Sequence, residues 1–169
     1  MNNQKNKYLL FLSLIIFLLL TGCALTNITG VKDPLFKNAS FERPLVYVSI
    51  EGIENQQMIE AAFIKAFSQK GIHALKGTDI YPVTREFDEK EVLQLFNDSS
   101  ADTMIVVSLI KGSTRGKQKY TINITDKVTL KKIWVGETLT TGGNIITMEE
   151  KFQSLADEVF NKLVSEKIN

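Results

Sequence analysis

Residues 45–50 read Leu45-Val46-Tyr47-Val48-Ser49-Ile50, and after Glu51-Gly52 the pattern changes, with Ile59, Ala62, Phe63, Ala66 and Phe67 at i, i+3, i+4, i+7 and i+8. The first stretch is β-branched and aromatic, stops at a glycine, and reads as a strand. The second puts its apolar residues on one face of a 3.6-residue helix. Asn55 is placed to cap the start of that helix, and Gly71 to supply the left-handed residue that closes it. A strand followed by an amphipathic helix of this length is the opening of a sheet with helices packed on it.

Working outward, Ile72–Leu75 is a short candidate strand and residues 77–85, which include Pro82, are a turn-rich connection. Asp88 is an N-cap for a second helix carrying Val92, Leu95 and Phe96, with Glu89 and Glu91 near its positive end. Asn97-Asp98-Ser99-Ser100 ends it. Met104-Ile105-Val106-Val107-Ser108-Leu109-Ile110 is a continuous apolar run of strand length, as expected for a central strand covered on both faces. Two more strands follow, Tyr120–Thr125 and Ile133–Thr140, and in the first Tyr120, Ile122 and Ile124 alternate with Thr121, Asn123 and Thr125. Thr147-Met148-Glu149-Glu150 is a capping box that opens a last helix with Phe152, Leu155, Val159 and Leu163 as its buried stripe.

The order strand, helix, strand, helix, strand, strand, strand, helix predicts an α/β (α+β) fold: a mixed five-stranded sheet packed with three helices. Right-handed crossovers make the first three strands parallel, and short hairpin connections add the last two antiparallel. One such domain accounts for residues 44–169. Residues 24–43 show neither a 2- nor a 3.6-residue apolar period, so residues 23–43 are expected to be a tether.

The chain has 169 residues, 44% hydrophobic and 23% charged, with 20 Lys and Arg against 19 Asp and Glu. That balance excludes a disordered tail, a collagen-like repeat and a polybasic nucleic-acid binder. Much of the apolar content sits in residues 8–20, which carry no charge and follow a short end containing Lys5 and Lys7. A basic end, an apolar stretch and a small-residue site are the three parts of an export signal. The stretch is shorter than the roughly 20 residues a membrane-spanning helix needs. Removing residues 1–22 takes away Lys5 and Lys7 and no acid, leaving 18 basic residues against 19 acidic ones, a net of −1. Such a surface has no net attraction for nucleic acid or anionic lipid.

Leu20-Thr21-Gly22-Cys23 follows the apolar stretch directly, and here the sequence resembles the bacterial lipoproteins, whose lipobox places an aliphatic residue, two small residues and a cysteine at this boundary. The resemblance implies cleavage before Cys23, a diacylglycerol thioether on its sulfur and acylation of its new amino group. Ala24, rather than Asp, after the cysteine implies the outer membrane, with the domain facing the periplasm, in a two-membrane cell. In a single-membrane cell it implies the outer face. Cys23 is also the only cysteine of the chain. A lone thiol in an exported chain has no disulfide partner; the other reading is a free cysteine at the end of a transmembrane anchor. Two or three acyl chains hold far more firmly than one.

The element order, with Ser100-Ala101-Asp102-Thr103 leading into an apolar strand and Lys131-Lys132-Ile133-Trp134-Val135-Gly136 in the penultimate hairpin, resembles a set of bacterial envelope lipoprotein domains. These include the amino-terminal domain of TolB, the curli-secretion lipoprotein CsgG and the penicillin-binding-protein activator LpoB. The likeness implies binding or assembly at the envelope, usually without catalysis, and as an alternative a subunit of an outer-membrane secretion complex. The chain differs from the usual pattern in having Leu130 where a turn glycine is common.

Candidate chemistry is sparse. His73 is the only histidine, so no multi-His metal site and no Cys–His pair can be built from one chain. A triad using His73 lacks a G-x-S-x-G elbow, which makes a tethered hydrolase the weakest alternative. Glu149-Glu150 and Asp157-Glu158 are adjacent on a helix and point about 100° apart, so they do not share a proton. Gly142-Gly143 lacks the spacing of a phosphate loop. No motif calls for a cofactor. Residues 111–119 concentrate Lys111, Arg115, Lys117 and Lys119 with no acid, either as a solvated loop or as a surface for an acidic envelope protein, lipid head groups or the cell wall. Trp134, the sole tryptophan, is expected to cap the sheet against the final helix or to stand at a partner surface.

Overall fold

The computed structural model describes residues 25–34, 39–81, 87–112, 114, 116–141 and 146–166. The sequence features at residues 1–22, Cys23, Arg115 and Gly142-Gly143 lie outside them. In chain order the elements are β1 (Leu25–Lys32), β2 (Leu45–Ser49), α1 (Ile53–Ser68), β3 (Leu75–Lys76), a 3₁₀ turn (Gly77–Asp79), α2 (Glu89–Asp98), β4 (Thr103–Leu109), β5 (Lys117–Asp126), β6 (Lys132–Thr141) and α3 (Met148–Ser165).

The strands form one mixed sheet in the order β1-β6-β5-β4-β2-β3. β2 pairs parallel with β3 and β4, and β4, β5 and β6 pair antiparallel in succession, as the connection lengths predict, while β1 adds antiparallel to β6. One face carries Val46 and Val48, Ile105 and Val107, and Tyr120, Ile122 and Ile124, packed against the apolar stripes of α1 and α3. There Phe67 and Phe160 meet edge to face at 5.1 Å. On the other face Leu45 and Met104 pack under Val92 and Phe96 of α2. The central strands are therefore covered twice, which is why β4 reads as an unbroken apolar run.

The helix ends follow the local chemistry of the sequence. Asp88 and Thr147 each accept from the backbone N–H three residues on, at 2.8 and 3.2 Å, and Glu91 and Glu150 return the bond, so both are capping boxes. Gly71 has φ +78°, and Gly71 N–H and Ile72 N–H donate to the carbonyls of Ser68 and Phe67 at 3.0 and 3.1 Å. This is a Schellman closure that only a residue without Cβ enters freely. The start of α1 differs from expectation: the N-cap is Gly52, and Gln56 of the first turn donates to Ile50 O at 2.7 Å.

Two corrections concern the sheet. It has six strands rather than five, because Leu25–Lys32, expected to be tether, pairs antiparallel with β6 over its whole length. The strand escapes a search for apolar alternation because its inward positions are Thr26, Ile28 and Gly30, while Val31 points outward and is 77% exposed. Thr26 is satisfied by Thr140 and Ser154 hydroxyls at 3.1 and 2.9 Å. Ala39 and Phe41, also in the expected tether, are buried against the core. The second correction is to the short strand, which is Leu75–Lys76 and leaves out Ile72, His73 and Ala74.

A bulge between Ile124 and Thr125 opposes these two residues to Trp134 and Lys132, so Ile133 is the extra residue and both it and Trp134 turn inward. Trp134 is thus a core residue, and its Nε1–H donates to the Glu166 carboxylate at 2.8 Å. Burial pushes the Glu166 carboxyl up, but bonds from Lys162 and Trp134 and the charges of Lys162 and Lys32 outweigh it and bring the group below its ordinary value. A carboxyl lowered on folding stabilises above its unfolded pKa of about 4.3 and loses that contribution as the pH falls through the folded value. Chemical denaturation is expected to find the native chain more stable than Glu166→Gln at neutral pH, with the gap closing on acidification below about pH 4.

The β5–β6 hairpin is closed by Asp126, whose carboxylate accepts Thr129 N–H and Oγ–H, both at 2.8 Å. Leu130 follows at φ 52°, the one non-glycine residue with positive φ among those described, at the position where glycine is usual. A left-handed conformation strains an L side chain by about 1–2 kcal/mol, and glycine costs part of this back through unfolded-chain entropy. Leu130 is 43% exposed and gives up little packing. Leu130→Gly is expected to raise stability by about 0.5–1 kcal/mol in thermal unfolding.

Candidate functional site

The starts of β1 and β5 and the ends of β2, β4 and β6 lie along one edge of the sheet. The starts of α1 and α3 follow the ends of β2 and β6 to the same edge. This edge opens into a cleft of about 1220 Å³ lined by Tyr47, Glu60, Tyr81, Lys111, Tyr120 and Phe152 among others. The ends of parallel strands are where sheets of this kind leave a crevice, since helices diverge there from the strands they cover.

Its polar groups are largely committed. Glu60 projects from the buried face of α1, and its two oxygens accept Thr78 N–H and Oγ–H at 3.1 and 2.6 Å. Burial raises its pKa above the ordinary carboxyl value, against the lowering by the Thr78 bonds. The carboxylate pins the Gly77–Asp79 turn to α1. A Cβ on Gly77 would lie 2.6 Å from Val46 O and 2.9 Å from Glu60 Oε1, so the turn sits too close for any other residue. Tyr81 donates to Val92 O at 2.8 Å, and its ring stands 4.7 Å from Tyr47 and 5.7 Å from Phe87. Burial pushes the phenols of Tyr47, Tyr81 and Tyr120 above their ordinary value. Gln118 Oε1 is buried at the wall of the cleft with no protein partner among the described residues.

The basic residues are divided. Lys111 stands at the mouth of the cleft, just after β4. Lys117 and Lys119 are two apart on β5, so both side chains project to the face away from α1 and α3, and both are exposed. Thr114 and Lys117 exchange backbone bonds at 2.8 and 3.0 Å, closing the connection into a tight hairpin. His73 is exposed beside Glu42 and Arg43, away from this edge. Among the described residues, no group of three His, Cys, Asp or Glu is arranged to hold a metal ion.

Sequence reasoning missed two features. Glu60 stands beside the apolar stripe of α1 and looks like a solvent-facing acid, since Thr78, its partner, is 18 residues away and reaches it only through the fold. Asp102, in the sequence one member of the Ser100–Thr103 pattern, accepts Ser40 Oγ–H and the N–H groups of Glu42 and Arg43 at 2.9, 2.6 and 3.0 Å. It ties residues 40–43 to the start of β4.

The sequence matches no protein-family model and no curated protein. Solved structures are similar in fold. A PelC dodecamer from Paraburkholderia phytofirmans superposes with a TM-score of 0.58 at 14% identity, over 82% of this chain and 97% of that one. Lipoprotein GNA1162 from Neisseria meningitidis gives a TM-score of 0.49 at 12% identity, over 76% of this chain and 99% of that one. TolB from Acinetobacter baumannii gives 0.44 at 8% identity, over 84% of this chain and 31% of that one. At such identities the likeness is one of fold.

Proposed function

We propose that this chain is a lipoprotein of the bacterial envelope, anchored through diacylglycerol and an N-acyl chain on Cys23, whose domain works by binding or assembly rather than by catalysis. The observation that carries the reading is the position of Leu20-Thr21-Gly22-Cys23 between an uncharged apolar run and the first strand of the domain. Among the described residues no helix is long and apolar enough to cross a membrane; in this reading the lipid on Cys23 is the attachment. Ala24 favours an outer-membrane location with the domain in the periplasm. The partner in this reading is another envelope protein or the cell wall, and the domain has no role in nucleic-acid binding.

A second reading, a subunit of a ring-shaped export assembly, is favoured by the likeness to PelC, which is described as a dodecamer. Cys23→Ser tests the anchor. The native chain is expected in the membrane fraction of the producing cells, and the variant in the soluble fraction or as uncleaved precursor. Equal membrane retention of a processed variant would refute it. Crosslinking in the same cells separates the two readings, since a ladder of this chain with itself supports the ring and a crosslink to a different envelope protein supports the binding domain.

A further inference from the structure

We infer that the β4–β5 hairpin, with Lys111, Lys117 and Lys119, docks on the anionic phospholipid head groups of the bilayer that holds Cys23, so that the domain stands with this end of its sheet on the membrane. The inference rests on the lipid-anchor reading and adds an orientation and a second contact to it. Leu25 is paired with Thr141 of β6, and Thr141 with Lys117 of β5, so the start of β1 and the hairpin are level and two strands apart. Two strand spacings are about 10 Å. Cys23 is two residues before Leu25, within about 7 Å of it even when extended. With residues 25–32 in the sheet, the anchor has no slack to lift the domain, and Lys117 is held close to the lipid surface.

The sequence has no Asp or Glu from Thr103 to Thr125. Lys117 and Lys119 project from the outer face of the sheet, the layer that carries the anchor, and Lys111 extends from the end of β4. Glu51, Glu54, Glu149 and Glu150 at this end belong to the starts of α1 and α3 or the turn before α1, in the helix layer, and Asp88, Glu89 and Glu91 open α2 on the outer face, over β2 and β4 rather than β5, with Asp88 and Glu91 engaged in their capping box. Glu150 is spent on capping Thr147. Glu137 shares the outer face with the lysines but lies further from the end, opposite Thr121 and Thr29. Leu109 at the end of β4 and Ile53 at the start of α1 are 42% and 51% exposed, apolar groups of a kind that settle among head groups. The net charge of the mature chain is near zero, so the basic hairpin acts locally, within a Debye length of about 8 Å, and the anchor's reach of about 7 Å from Leu25 keeps this end of the sheet near that range.

Lys131 and Lys132 at the opposite end, beyond the ten-residue length of β5, are internal controls about 30 Å away. The lipidated full-length mature chain is reconstituted in vesicles of phosphatidylcholine alone or of phosphatidylcholine with phosphatidylglycerol, treated with an amine-acetylating reagent, and read lysine by lysine by mass spectrometry. Phosphatidylglycerol is expected to lower acetylation of Lys111, Lys117 and Lys119 about fivefold, with Lys131 and Lys132 unchanged and the protection lost on adding salt. Equal acetylation of the two groups in a chain that carries its lipid and stays on the vesicles overturns the docking and leaves the anchor standing. Protection in intact cells but not in vesicles overturns it in favour of an acidic protein partner. A chain without lipid that leaves the vesicles overturns both.

Discussion

Gly136→Val is expected to destabilise the domain by about 3–5 kcal/mol, the range in which a large core aromatic loses its site. Trp134 lies across the Gly30–Gly136 pair of β1 and β6, and it is 1% exposed. A Cβ on Gly136 would stand 2.1 Å from the Trp134 ring, and one on Gly30 2.3 Å from it. The glycines are therefore the floor on which the indole rests, and a side chain on either must expel the ring. Expulsion also breaks the bond to Glu166 and loosens the seat of α3 on β1 and β6. Urea unfolding followed by circular dichroism measures the loss. A steric cause has a signature: Gly136→Ala combined with Trp134→Leu costs less than the sum of the two single changes. Strict additivity would mean that the glycine serves the backbone rather than the ring.

Asp102→Ala is expected to cost about 2–3 kcal/mol, since hydrogen bonds to a charged acceptor contribute more than neutral ones and several are lost together. One carboxylate oxygen takes Ser40 Oγ–H and two backbone N–H groups, and the other takes Thr103 Oγ–H at 3.1 Å. Asp102→Asn is expected to be nearly as harmful, because the amide offers one oxygen to two sets of donors and brings N–H groups against one of them. Thermal unfolding measures the cost, and hydrogen exchange at Glu42 and Arg43 locates it, with faster exchange expected there before the central strands respond. Release of residues 40–43 also uncovers Phe41 and Ala39.

What was legible in the sequence is what is decided locally. The strand–helix passage at 45–67, the capping boxes at Asp88 and Thr147 and the closure at Gly71 follow from residues within one or two turns of each other, and the parallel-then-antiparallel order of the strands after residue 44 follows from the lengths of their connections. β1 was not legible, because its inner face is filled from elsewhere: Thr26 by Thr140 and Ser154, and Gly30 by the indole of Trp134. The burial of Phe41 depends likewise on Asp102, about 60 residues on. The candidate site divides in the same way. The basic cluster of residues 111–119 was readable, but as a loop before a strand starting at Tyr120; that β5 begins at Lys117 and takes in Lys119, and that both lie near the cysteine, exists only through the β1–β6–β5 register.

The account depends on Cys23 becoming the lipid-bearing first residue of the mature chain, and intact-mass analysis of the protein extracted from its native membranes tests this most directly. The predicted result is a chain of residues 23–169, heavier than its sequence by a diacylglycerol group and an amide-linked acyl chain. A mass equal to the unmodified chain from Met1 would contradict it.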